Sequence, residues 1–220
     1  MNKLKNYSHA WIILVYGIFY MISFAALEKR SLGQIYIIRL TADDKIPFCE
    51  YFIIPYLLWF AFIAVTLFFF TFINKDKREF YQLICSLGIG MTLFLLISFF
   101  FPNGQTLRPV VFPRENIFTS LVRHLYRIDT PTNIFPSIHV FNTVTCYIAI
   151  VSNKVLQKHK GIIAGTSLLS ILIILSTVFL KQHTLLDVIG AFVLNIVCYQ
   201  LLYKTEPVPH TVRRRVKQKA

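Results

Sequence analysis

The sequence predicts an all-α protein, a polytopic membrane bundle of six transmembrane helices in one domain over residues 1–220. Three observations carry that expectation. Hydrophobic residues make up 55% of the chain and charged residues 15%, against about 45–50% and about 25% in globular proteins. The apolar residues come in long runs, which fits neither a soluble enzyme nor a coiled coil nor a disordered chain. Finally, Lys+Arg 23 against Asp+Glu 10 leaves a net charge of +13 that is spread unevenly between the runs.

A spanning helix needs about 20 mostly apolar residues. Ala10–Leu27 is the first candidate. Its basic start and the small residues of Ser23-Phe24-Ala25 have the look of a signal peptide, but its length and its Tyr16, Phe19 and Tyr20 favour an uncleaved anchor. Tyr51–Ile73 and Tyr81–Phe101 follow as the second and third. Phe135–Val151 is the fourth; it is short and carries Asn142 and Thr143. Gly161–Leu180 and Thr184–Tyr203 complete the six. Barrel strands would instead be about 10 residues long with alternating polarity.

Basic residues near helix ends set orientation. With the amino terminus inside, Lys3, Lys5, Lys75, Lys77, Arg78, Lys154, Lys158, Lys160, Lys204, Arg213, Arg214, Arg215, Lys217 and Lys219 share the cytoplasmic side, a majority of the 23. Both termini are then cytoplasmic, and the basic tail 204–220 meets anionic lipid. The connection from Phe101 to Phe135 is external. Its Arg108, Arg114, Arg123 and Arg127 run against the positive-inside tendency, which suggests a function for some of them.

An ionisable residue within a span costs about 2.5–3.5 kcal/mol at a helix centre, so each is a functional candidate. Asp187 stands four positions after His183, on one helix face. The two form either a catalytic pair, in which the carboxylate fixes the imidazole tautomer, or a structural pair closing a helix end. Pro136-Ser137-Ile138-His139 reads as a helix amino terminus, which favours anions, or as an ordinary cap with an interfacial histidine. Arg108-Pro109 lies just beyond the third run and is either a phosphate fork or a headgroup anchor. The predicted topology brings Arg108, His139, Lys181 and His183 to the same side at similar depth. Two histidines, a carboxylate and two cations converging there make a phosphoryl-transfer site.

These motifs resemble those of the type 2 phosphatidic acid phosphatase (PAP2, or lipid phosphate phosphatase) superfamily, whose pattern is Lys-x6-Arg-Pro, then Pro-Ser-Gly-His, then Ser-Arg-x5-His-x3-Asp. Here Arg108-Pro109, Pro136-Ser137-Ile138-His139, and Ser176 with His183 and Asp187 match in order and spacing, between residues 101 and 187. Phe101, Ile138 and Thr177 stand where the family has Lys, Gly and Arg. Lys181 is placed to replace one missing cation, with Arg114 or Arg123 as auxiliaries. The Ser176-Thr177…Lys181-Gln182-His183 version is similar to the branch that includes inositol phosphorylceramide synthases and small bacterial members.

The resemblance implies a six-helix membrane enzyme that hydrolyses a lipid phosphomonoester or diphosphate, such as phosphatidic acid, phosphatidylglycerol phosphate or a polyprenyl diphosphate. By that likeness His183 attacks phosphorus to form a phosphohistidine, Asp187 holds its ring, and His139 protonates the leaving oxygen and then activates water. Arg108, Lys181, Ser137 and the amide of Ile138 would bind the phosphate oxygens. Two alternatives stay open: a phosphotransferase with a lipid or sugar hydroxyl as acceptor, and a non-catalytic transporter or lipid-binding protein with a degenerate site. Neither metal nor cofactor is expected, since the ten acidic residues form no carboxylate cluster.

The expected partners are the lipid phosphate and the bilayer, without nucleic acid. The expected location is the plasma membrane, with the site on its extracytoplasmic face. Asp129 in Asp129-Thr130-Pro131 reads as a solvated turn residue, and Trp59 as an interfacial or packing residue. Cys49, Cys85, Cys146 and Cys198 have neither pairing nor metal spacing and read as packing residues.

Overall fold

The computed structural model describes residues 8–31 and 33–204. Lys3, Lys5 and the basic residues of the 205–220 tail lie outside the described residues. Helix α1 (Trp11–Glu28) follows a 3-10 turn at Ser8–Ala10. Its Trp11, Val15, Ile18 and Ile22 form one outward face and are each more than half exposed, as expected for apolar side chains meeting lipid. The opposite face carries Tyr16, Tyr20, Phe24 and Leu27 onto α4 (Lys77–Phe100), where the Tyr16 hydroxyl donates to the Gly88 carbonyl at 2.9 Å.

Between these two helices lie the short α2 (Thr41–Lys45) and a long rod made of a 3-10 turn, Glu50–Phe52, then α3 (Ile53–Phe68), then a π-helical turn, Phe69–Ile73. Helix α4 starts where the Asp76 carboxylate accepts the Arg78 amide at 3.0 Å. After α4 the chain pairs β2 (Asn103–Gly104) in parallel with β1 (Tyr36–Ile37). It then forms α5 (Ile117–Ile128), opened by a reciprocal cap between Asn116 and Thr119. Helices α6 (Ile138–Ser152), α7 (Lys160–Phe179) and α8 (Leu185–Leu202) complete the described chain.

Five rods are long and apolar enough to cross a bilayer: Trp11–Glu28, Glu50–Ile73, Lys77–Phe100, Lys160–Phe179 and Leu185–Leu202. The fourth run, expected as a sixth span over Phe135–Val151, forms the 15-residue α6 instead. At 1.5 Å per residue α6 rises about 22 Å, short of an about 30 Å hydrocarbon core. The reason is local. Ser137 caps the helix in an extended conformation, so Phe135 and Pro136 stay outside it, and Asn153 ends it in another extended residue.

This short helix is the centre of the bundle, packed against α3, α4, α7 and α8. Phe62, Phe80, Leu83, Cys146, Ile150 and Ile173 interdigitate in its largest apolar cluster. Where every flank is apolar, polar pairing also holds helices together. Asn195 of α8 donates to the Phe141 carbonyl at 3.2 Å and accepts from the Thr145 hydroxyl at 2.9 Å, both on α6. Gly90 of α4 allows the Phe141 ring to lie against the backbone: a Cβ there would stand 2.0 Å from Phe141 Cε1. Gly90→Ala is accordingly expected to cost about 1–3 kcal/mol through overpacking, read as a lower midpoint of thermal unfolding in detergent. Gly88→Ala, where a Cβ meets nothing within 4 Å, should leave that midpoint nearly unchanged.

Candidate active site

The site is built on two helix starts. Helix α7 ends at Phe179, and Lys181 adopts a left-handed conformation (φ 52°) that reverses the chain. The amides of Gln182 and His183 both return to the Thr177 carbonyl, at 2.9 and 3.0 Å. The turn therefore delivers His183 directly before Thr184, the cap of α8. The Thr184 amide donates to Asp187 Oδ2 at 2.7 Å, and the Asp187 amide donates to the Thr184 hydroxyl oxygen at 3.3 Å. In this arrangement Asp187 both closes the helix start and stands 3.5 Å from His183 Nδ1.

His139 lies in the first turn of α6. Ser137 accepts the Val140 amide through Oγ at 3.3 Å and donates its own amide to the Asp187 carbonyl at 3.1 Å, which ties the two helix starts together. Tyr56 and Trp59 of α3 flank the His139 ring, with centroids at 4.8 and 4.4 Å, and Trp59 Nε1 donates to the His139 carbonyl at 3.1 Å. His139 Nδ1 then meets His183 Nε2 at 3.4 Å. A carboxylate beside Nδ1 of His183 favours the proton there and leaves Nε2 with its lone pair. The proton between the rings therefore belongs on His139.

Both histidines line a cavity with Asp129, Thr130, Thr132, Asn133 and Gln182 as polar wall and Phe24, Phe94, Ile134 and Ile138 as apolar wall. Asn103 holds the approach to α6: its Oδ1 accepts the amides of Ile134 and Phe135, each at 2.9 Å. The structure thus brings His139, His183, Asp187, Ser137 and Ile138 together. Ser137 presents its hydroxyl to the helix start, and Ile138 lines the cavity by its side chain.

Arg108 and Lys181 are placed differently. Arg108 Nη1 donates to the carbonyls of Asp129 (2.7 Å) and Tyr126 (3.3 Å), and Nη2 donates to the Thr130 carbonyl (3.2 Å) and to Gln182 Oε1. Its guanidinium lies 4.4 Å above the Tyr126 ring. Burial lowers the Arg108 pKa, with Asp129 as the leading opposing influence. Lys181 Nζ donates to the carbonyls of Asp43 (2.7 Å) and Ile46 (2.5 Å), facing the α2 segment rather than the cavity. Burial lowers its pKa as well, against Asp43 and Asp44. Arg114 and Arg123 engage Glu50 (2.9 Å) and Glu115 (2.7 Å).

Several site residues escaped the sequence reading. Asp129, expected in solvent, lines the cavity and accepts from the Tyr56 hydroxyl at 3.4 Å. Burial raises its pKa above the usual carboxylate range, with His183 and then Arg108 opposing. Trp59 serves as a clamp on His139. Asp43, fully buried, accepts the Leu185 amide of α8 at 2.8 Å and the Leu40 amide at 2.7 Å, so the α2 segment braces the His183 turn from behind. In the sequence Asp129 shows as a turn residue and Trp59 as an interfacial or packing residue, neither as part of a site, and Asp43 lies in Asp43-Asp44 with no motif around it.

The raised Asp129 pKa gives a prediction with a definite sign. A carboxyl that holds its proton more tightly folded than unfolded contributes stability below its ordinary value and loses it as pH rises through the folded value. Asp129→Asn is accordingly expected to be better tolerated at neutral than at acidic pH, read as the midpoint of thermal unfolding in detergent against the parent's. The substitution should flatten the fall of that midpoint with rising pH expected of the parent, and an unchanged pH profile would defeat this.

The protein is thus a mostly helical bundle with five rods long and apolar enough to cross a bilayer and a His–His–Asp constellation at the starts of two helices, the architecture of a membrane protein. Residues 83–208 match the family model described as PAP2 superfamily, more than half of the chain, and the protein belongs to that superfamily. Neither a curated protein nor a solved structure matches the chain. Membership suggests an enzyme of phosphatase type.

Proposed function

We propose that the protein is a lipid phosphate phosphatase working through a phosphohistidine. The observation that carries this reading is the line from Asp187 through His183 to His139, at 3.5 and 3.4 Å, with both histidines on the cavity wall and Asp187 behind them. His183 Nε2 forms the bond to phosphorus while the bond from phosphorus to the lipid oxygen breaks. Entering phosphorus replaces the contact between the two rings, and His139 gives its Nδ1 proton to the departing oxygen. In the second step His139 takes a proton from water, whose oxygen displaces His183 and releases phosphate.

The apolar wall of Phe24, Phe94 and Ile138 supports a substrate with hydrocarbon tails, and the spread of basic residues supports cytoplasmic termini with the site on the outer face of the plasma membrane. On this reading α6 also crosses, as the short inner member of six spans. The Thr177, Lys181 and Gln182 variant of the third motif supports the inositol phosphorylceramide synthase-like branch.

The test is phosphate release by the purified full chain in nanodiscs from phosphatidic acid, phosphatidylglycerol phosphate and a polyprenyl diphosphate, with rapid quenching to trap a base-stable, acid-labile phosphoenzyme. Release from at least one lipid together with that intermediate is expected. Absence of both across the panel would overturn the reading. Appearance of ceramide phosphate, a new phosphomonoester, on adding ceramide would make the enzyme a transferase instead.

A further inference from the structure

Gln182 is an unspecified position in the Ser-Arg-x5-His-x3-Asp pattern of the superfamily, yet it occupies the wall of the cavity next to His183. It is 2% exposed. Its Oε1 accepts from Arg108 Nη2, and because a guanidinium only donates, this contact fixes which end of the amide is oxygen. Nε2 is left buried and without a hydrogen-bond partner. An orphaned buried donor costs about 1–3 kcal/mol, which argues that something else satisfies it. Of the groups around it, Arg108 directs both Nη atoms to three carbonyls and Gln182 and keeps a buried Nε without a partner, Lys181 donates to Asp43 and Ile46, and neither cation lines the cavity.

We propose that Gln182 is a substrate-contact residue: its Nε2 donates to a non-bridging oxygen of the substrate's phosphate, and Arg108 acts through it as a positioning residue that holds the amide in this orientation. The proposal rests on the reading that phosphate enters this cavity. A neutral amide here replaces the charged fork that phosphate sites ordinarily use. The charged and titratable groups facing Gln182 are Arg108 from the segment after β2, Asp129 from the end of α5, His139 from α6 and His183 beside it in the chain.

Binding is measured apart from turnover, using His183→Ala as the parent and displacement of a fluorescent short-chain phosphatidic acid in nanodiscs, with thermal unfolding followed for every variant. Adding Gln182→Ala is expected to weaken binding about tenfold. Gln182→Glu, which keeps the shape, is expected to weaken it more at neutral pH and to recover on acidification, when the carboxyl regains a donating O–H. Arg108→Ala should weaken binding about as much as Gln182→Ala, and the double variant Arg108→Ala with Gln182→Ala should be no worse than either. In the active chain the same substitutions should raise KM more than they lower kcat.

Binding unaffected by Gln182→Glu at any pH, or additive losses from Arg108 and Gln182, would overturn the assignment, as would a parent that binds no lipid phosphate. Should the enzyme release phosphate from no lipid while the His183→Ala parent binds one in a Gln182-dependent way, the proposed catalytic function fails and this contact stands.

Discussion

Replacing His183 with alanine is expected to lower lipid phosphate hydrolysis by at least about 10³-fold and to abolish the trapped phosphoenzyme, since removal of a covalent nucleophile leaves only binding and polar stabilisation. The companion Asp187→Asn discriminates chemistry from architecture. An asparagine oxygen can still accept the Thr184 amide, now at 2.7 Å from Asp187 Oδ2, so the start of α8 survives. The same Oδ2 stands 3.5 Å from His183 Nδ1, so the asparagine oxygen still faces that nitrogen and only the carboxylate's charge is lost. Once Nε2 bonds phosphorus the His183 ring carries a positive charge, which a neutral amide stabilises less than a carboxylate does. A loss of about 10²–10⁴ in kcat with a midpoint of unfolding within a few degrees of the parent is the expected result. A mutant at full activity would show that the pair only closes the helix.

The second large effect belongs to His139. General acid–base groups contribute about 10²–10⁴-fold, and their weight depends on the leaving group. His139→Gln, which keeps bulk between Tyr56 and Trp59, should cost about that much with an alkyl lipid phosphate. With a nitrophenyl ester, whose oxygen departs without a proton, the first step should be nearly insensitive and the phosphoenzyme should accumulate, because water still needs its base. Equal losses with both esters and no accumulation would assign His139 to packing.

The element pattern was legible because apolar run length is a direct physical requirement of a bilayer: five of the six runs form rods within a few residues of the expected limits. The fourth run was harder. Pro136 and Ser137 were visible as a helix start, but the expected limits counted Phe135 and Pro136 inside the helix. Helices α2 and α5 left weaker traces, being five and 12 residues long in the connections. Capping residues such as Asn116 and Thr119 mark α5, yet they are too common to announce a helix alone.

Histidine spacing is a local property, so His183 with Asp187 four residues later, and His139 two after the cap Ser137, could be read along the chain. A helix start dictates where such side chains stand. Arg108 and Lys181 have long side chains whose direction depends on what surrounds them. The left-handed turn at Lys181 sends its ammonium to the α2 carbonyls, and the α5–α6 connection draws Arg108 onto its own backbone. Spacing fixes a residue's place on an element, whereas the reach of four or five rotatable bonds is decided by which buried carbonyls lack a donor. The helical fold and the His–His–Asp set were thus contained in the order of residues, while the polar wall of Asp129 and Gln182, and the brace from Asp43, came into being only when distant segments packed together.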